Sequence, residues 1–173
     1  MRQSVLATLV LSAAVVFAVE ARAQQPAAVP DQMPFDIPYG PSITADKAAE
    51  VVKAVIAEAK KSPRNWKLAI AVVDPAGDLV YFYKMDATQT ASIGIAQGKA
   101  RTAARFRRPS GLFFGIANTP NGSWVGTLDP TLVASHGGFP LIEGGKLIGA
   151  VGCSGATGDQ DGVACKAGAD SVK

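Results

Sequence analysis

Two pairs of short apolar runs, each broken by turn residues, set the fold. Leu68 to Asp74 reads Leu-Ala-Ile-Ala-Val-Val-Asp, an uninterrupted apolar run that predicts a buried strand. Pro75-Ala76-Gly77-Asp78 is turn chemistry, with Gly77 where a positive φ is expected. Leu79 to Met85 returns as a second strand, so the segment predicts a hairpin. Phe139 to Glu143, Gly144-Gly145 and Lys146 to Ser154 repeat the pattern.

Helical patterns flank both hairpins. From Thr44 to Lys61, Ala48, Val51, Val52, Val55, Ile56 and Ala59 share one face; Thr44 suits the N-cap and Pro63 the stop. Thr90 to Phe106 predicts a second helix, with Ile95, Ala96, Lys99, Thr102, Ala103 and Phe106 around one face. A last helix is expected toward Val172, capped by Asp159. Between them, Pro109 to Thr131 is rich in Gly, Pro and Asn and reads as a long irregular loop with a functional or oligomer-contact role. The order helix, hairpin, helix, loop, hairpin, helix predicts a single α+β domain with an antiparallel sheet packed by helices.

The N-terminus has the layout of a secretory signal. A basic start with Arg2 precedes an uncharged run from Val5 to Val19, and Ala21-Arg22-Ala23 offers small residues for cleavage. The run is short for a membrane span. Residues 1–23 are therefore expected to be removed and the mature protein to be periplasmic or secreted. Residues 24–41, rich in Pro, Ala and Gln, read as an extended arm, and 42–173 as the domain.

The mature chain carries fifteen basic and thirteen acidic residues, which implies no electrostatic partner. Arg101, Arg105, Arg107 and Arg108 lack interleaved aromatics, so they read as a solvated face and no nucleic-acid partner is expected. Cys153 and Cys165 could form one bridge in an oxidising compartment or remain two buried thiols.

Chemistry concentrates at Ser135-His136-Gly137-Gly138-Phe139-Pro140-Leu141. His136 is the only histidine, and imidazole is suited to metal ligation or proton transfer. The Gly137-Gly138 pair can let a ligand approach the backbone and turn N–H groups toward an anion. No dinucleotide, phosphate-loop or nucleophile-elbow motif is present. Asp159 and Asp161 are the closest useful carboxylate pair, with Asp161 a candidate acid or base. Haem iron takes His, Met, Cys or Tyr ligands, so the candidates are His136, then Met85, Tyr81 and Tyr83. Without Cys-x-x-Cys-His, attachment would be non-covalent.

Six motifs in order resemble the GlcG/HbpS family of haem-degrading (DUF336) domains over about residues 42–172. They are Ile43-Thr44-Ala45-Asp46-Lys47-Ala48, Val72 to Val80, Lys84-Met85-Asp86-Ala87, Ala96 to Ala103, Gly137 to Leu141, and Gly149 to Gly155; Asp159-Gln160-Asp161 closes the series. The resemblance implies a profilin-like fold, a homo-oligomer, and binding of haem or a related tetrapyrrole, with a membrane sensor as partner in the exported case. Some haem-binding members use a first-helix histidine. Thr44 to Lys61 has none, so histidine-ligated haem would have to use His136 or a different geometry.

Three readings follow. The first is an exported haem binder, with His136 at the iron and Lys99 or Arg101 on a propionate. The second is a binder of, or enzyme for, a small organic acid in a Gly137-Gly138/Lys99/Arg101 pocket, with Asp161 as acid or base. The third is an assembly module. The balance favours a binding protein over an enzyme.

Overall fold

The computed structural model describes residues 36–172. The expected signal segment and most of the expected arm lie outside the described residues. Four helices and four strands follow in the order α1 (Ala45–Lys61), β1 (Ala69–Val73), β2 (Leu79–Lys84), α2 (Ser92–Phe106), α3 (Gly111–Ala117), β3 (Gly138–Glu143), β4 (Lys146–Ser154) and α4 (Gly158–Asp170). The strands form one antiparallel sheet in the order β2-β1-β4-β3. Both predicted hairpins form, and the sheet is closed in its middle by β1 against β4, with Ile70 opposite Cys153.

Strand alternation sends β1 into two different cores. Ile70 and Val72 join Val51, Val55, Val151 and Leu141 on the face covered by α1 and α4. Ala69, Ala71 and Val73 meet Ala96, Ala100, Ala103 and Ala104 of α2 on the other. The second seam is made of small residues, so the helix lies close. A Cβ on Gly152 of β4 would stand 2.2 Å from the Ala96 carbonyl oxygen and 2.5 Å from the Ala100 nitrogen.

Local chemistry fixes the turns and ends. Asp74 Oδ1 accepts from the N–H groups of Gly77 and Asp78, both at 2.9 Å, and Gly77 has φ +96°. Gly144 and Gly145 both have positive φ, as a tight two-residue hairpin turn requires. Thr44 caps α1 by accepting from Lys47 N–H. The end of the expected arm runs beside β4: Gly40 donates to Leu147 O and Leu147 donates to Pro38 O.

Two expectations are corrected. Pro109 to Thr131 is not irregular throughout: it contains α3 and a 3-10 helix, Gly122–Thr127. Local backbone bonds such as Asn118 N to Phe114 O hold these turns in spite of the glycines. The cap of α4 is Thr157, not Asp159. Thr157 Oγ1 accepts from Gln160 N–H, and the Gln160 side chain accepts from Thr157 N–H, a reciprocal pair that leaves Asp159 free to turn elsewhere.

Candidate functional site

His136 lines a cavity of about 490 Å³ between the start of α3, the loop before β3, and α4. Its walls are mostly apolar, with Leu112, Phe139 and Val163 among them; Asp159 and Lys166 supply charge at the rim. That size and composition suit a small organic ligand or cofactor. The imidazole is held on several sides. Its Nδ1 lies 2.8 Å from Asp159 Oδ1, and its ring meets Phe114 edge-on at 5.1 Å. Gly111 makes room for it, since a Cβ there would stand 2.3 Å from His136 Cδ2.

Directly behind this loop lies a buried ion pair. Lys99 of α2 and Asp161 of α4 meet at 2.8 Å, with side chains 2% and 3% exposed. Lys99 Nζ also donates to Cys153 O at 3.0 Å, and Asp161 Oδ1 accepts from Ala156 N–H at 3.0 Å. Burial pushes the Asp161 carboxyl above the ordinary carboxylate range, against the pull of Lys99 and the nearby N–H groups. Cys153 and Cys165 are joined as a disulfide with Cα atoms 5.6 Å apart, which ties β4 to α4. Cys153 N–H also donates to Gly137 O at 2.7 Å.

These positions revise the expected ligand clamp. Lys99 and Asp161 are spent on each other and neither lines the cavity, so they do not face a ligand as carboxylate clamp and acid or base. Arg101 turns the other way and donates from Nε to Gly77 O of the β1–β2 turn. Arg105 does the same to Ala76 O, and Arg107 donates to Ile37 O. Arg101, Arg105 and Arg107 therefore tie neighbouring loops to α2 and its end, so the four arginines are not one solvated face. The Gly137-Gly138 pair serves protein packing. Gly137, at φ +107°, lets the loop pass 2.9–3.2 Å from Asp161, Cys153 and Lys99 as judged by an added Cβ, and Gly138 N–H donates to Ser110 Oγ.

Met85 does not reach a ligand either. It is 7% exposed in the α1-side core, and its sulfur accepts from Leu68 N–H. Tyr81 and Tyr83 lie on β2 and are not among the cavity-lining residues. Of the sequence candidates, the cavity keeps His136 and Gly137. It also takes Phe139 from the singled-out loop and Asp159 from the carboxylate pair, and adds Leu112, Val163 and Lys166, which sequence reasoning did not assign to a site. The available signal was the spacing of Asp159, Val163 and Lys166, which puts them on one face of α4.

The chain matches the family described as Haem degrading protein HbpS-like over residues 43–170. It is 38% identical to Protein GlcG of Escherichia coli K12 over 112 residues, 65% of this chain and 81% of that protein. A double mutant of Streptomyces reticuli HbpS has the same fold, with a TM-score of 0.70 at 24% identity over 86% of this chain and 99% of that one. A structure described as a PduOC:heme complex matches with a TM-score of 0.67 at 20% identity, over 76% of this chain and 96% of that one. With the family's match spanning both hairpins and all four helices, the chain belongs to the HbpS-like haem-degrading protein family.

Proposed function

We propose that this protein binds haem or a related tetrapyrrole, non-covalently, in the cavity beside His136. The observation that carries the reading is the donor set. An imidazole, a side chain that ligates haem iron, lines a largely apolar cavity. The family membership and the haem-bound structural relative support the same ligand class. When bound, the iron would supply redox or ligand-binding chemistry; the residues of this chain would hold it. His136 would face the iron and Leu112, Phe139 and Val163 would cover the ring; Lys166 also lines the cavity and would meet a propionate by exchanging its exposed ion pair with Asp170.

The small-acid reading loses its support, because its two basic groups are engaged elsewhere. Haemin titration of the purified protein, followed by absorbance, tests the proposal. A saturable Soret shift is expected for the native chain and its loss is expected for His136→Ala. A shift retained in the variant moves the ligand away from His136, and no saturable shift in the native chain sinks the haem reading. The signal segment makes this an exported binder in our reading, and a mature mass beginning at Gln24 checks that part.

A further inference from the structure

We infer that Asp159 is a positioning residue that locks the His136 ring in one tautomer, with the proton on Nδ1 and the lone pair on Nε2. A neutral imidazole has one donor nitrogen and one acceptor nitrogen. An ionised carboxylate only accepts. Asp159 is on the first turn of α4, 88% exposed in its side chain, with its Oδ1 2.8 Å from His136 Nδ1. The carboxylate can hold that short contact only if Nδ1 carries the hydrogen. Nε2 is then left as the acceptor. Among the described residues it has no hydrogen-bond partner.

The surroundings place the Cδ2–Nε2 edge against a residue that lines the cavity. The Cδ2–Nε2 edge of the ring lies over Gly111, itself a lining residue, where an added Cβ would stand 2.3 Å from Cδ2 and 3.1 Å from Nε2. Phe114 holds the ring edge-on. On the other side, Gly158 and Gly162 of α4 each leave the His136 Cβ 3.7 Å from where their own Cβ would be. The ring thus has a fixed plane, and Asp159 chooses which nitrogen is basic. A carboxylate on the far nitrogen of a ligating histidine also raises its basicity as a metal ligand. The inference therefore sharpens the haem reading and rests on it only for this last step.

The chain's single histidine makes the test direct. Nitrogen-15 spectra of the neutral ring in the unliganded protein are expected to show a protonated Nδ1 and an unprotonated Nε2. In Asp159→Ala the ring is expected to move toward the Nε2–H form. A native spectrum with the proton on Nε2 overturns the inference, whatever the variant does, and so does an unchanged tautomer in a folded Asp159→Ala. Haemin affinity is then expected to fall about 10–100-fold in the variant. If the tautomer follows Asp159 while native protein fails to bind haemin, the haem reading falls and the positioning role stands.

Discussion

Asp159 and Asp161 sit two residues apart on the first turn of α4, yet they do opposite work. Asp161 points inward to Lys99 and is sealed from water; Asp159 points outward to His136 and is almost fully exposed. A helix turns about 100° per residue, so neighbours two apart lie on nearly opposite sides. The buried pair costs desolvation of two charges, which its hydrogen bonds to Cys153 O and Ala156 N–H help to offset. The exposed pair costs little and stabilises little, and its role in our inference is to orient the His136 ring. The lesson is that burial separates a structural carboxylate from a functional one when sequence position does not.

The largest effect is expected from breaking the inner pair. Lys99→Met should cost about 3–5 kcal/mol in urea denaturation, because it strands a buried carboxylate. That loss should also depend on pH. Without Lys99 the Asp161 carboxyl rises further above its ordinary range. A carboxyl raised in the folded state gains its proton there before the unfolded chain does. Its contribution is complete below the unfolded value and is lost as pH rises through the folded one. The gap between variant and native protein should therefore widen from acid to neutral pH. A gap that stays constant would mean that lost packing, not charge, is the cause.

Adding Asp161→Leu to Lys99→Met sharpens the same contrast. Removing the second charge is expected to recover stability, as replacing a whole buried pair by apolar groups often does. A double variant as unstable as the summed single losses would show the two side chains to be uncoupled. The smallest effect belongs to the outer pair. Asp159→Ala should change stability by no more than about 1 kcal/mol, as expected for an exposed side-chain hydrogen bond. A much larger loss in the same denaturation series would make Asp159 a structural residue like its neighbour.

Much of the fold could be read from periodicity. Both hairpins, α1, α2 and α4 announce themselves through alternation, helical spacing and turn residues such as Gly77 and Gly144-Gly145. The α3 region could not, because Gly111, Gly115, Gly122 and Gly126 dilute every local pattern and tertiary packing of Phe113 decides the outcome. His136 was visible as a lone histidine in a glycine loop. Its partner was not, since Asp159 reaches it only through the docking of α4 from 23 residues away. Lys99 carried a signal that was easy to misread. It shares a helix face with Ala96 and Ala103, which is where a lysine must find a buried counter-charge rather than stretch to solvent.

The alanine seam between α2 and the sheet has one more consequence. Apart from Val73, the buried side chains of that layer end at Cβ and have no rotamers, so little in it can reshuffle to change its thickness. The spacing is set by main chain and methyl groups, as a shim sets the gap between two machined plates. Lys99 rises from this shim, and its ammonium arrives at a constant height behind Gly137. The loop bearing His136 is thus levelled from below by the least adjustable layer of the molecule.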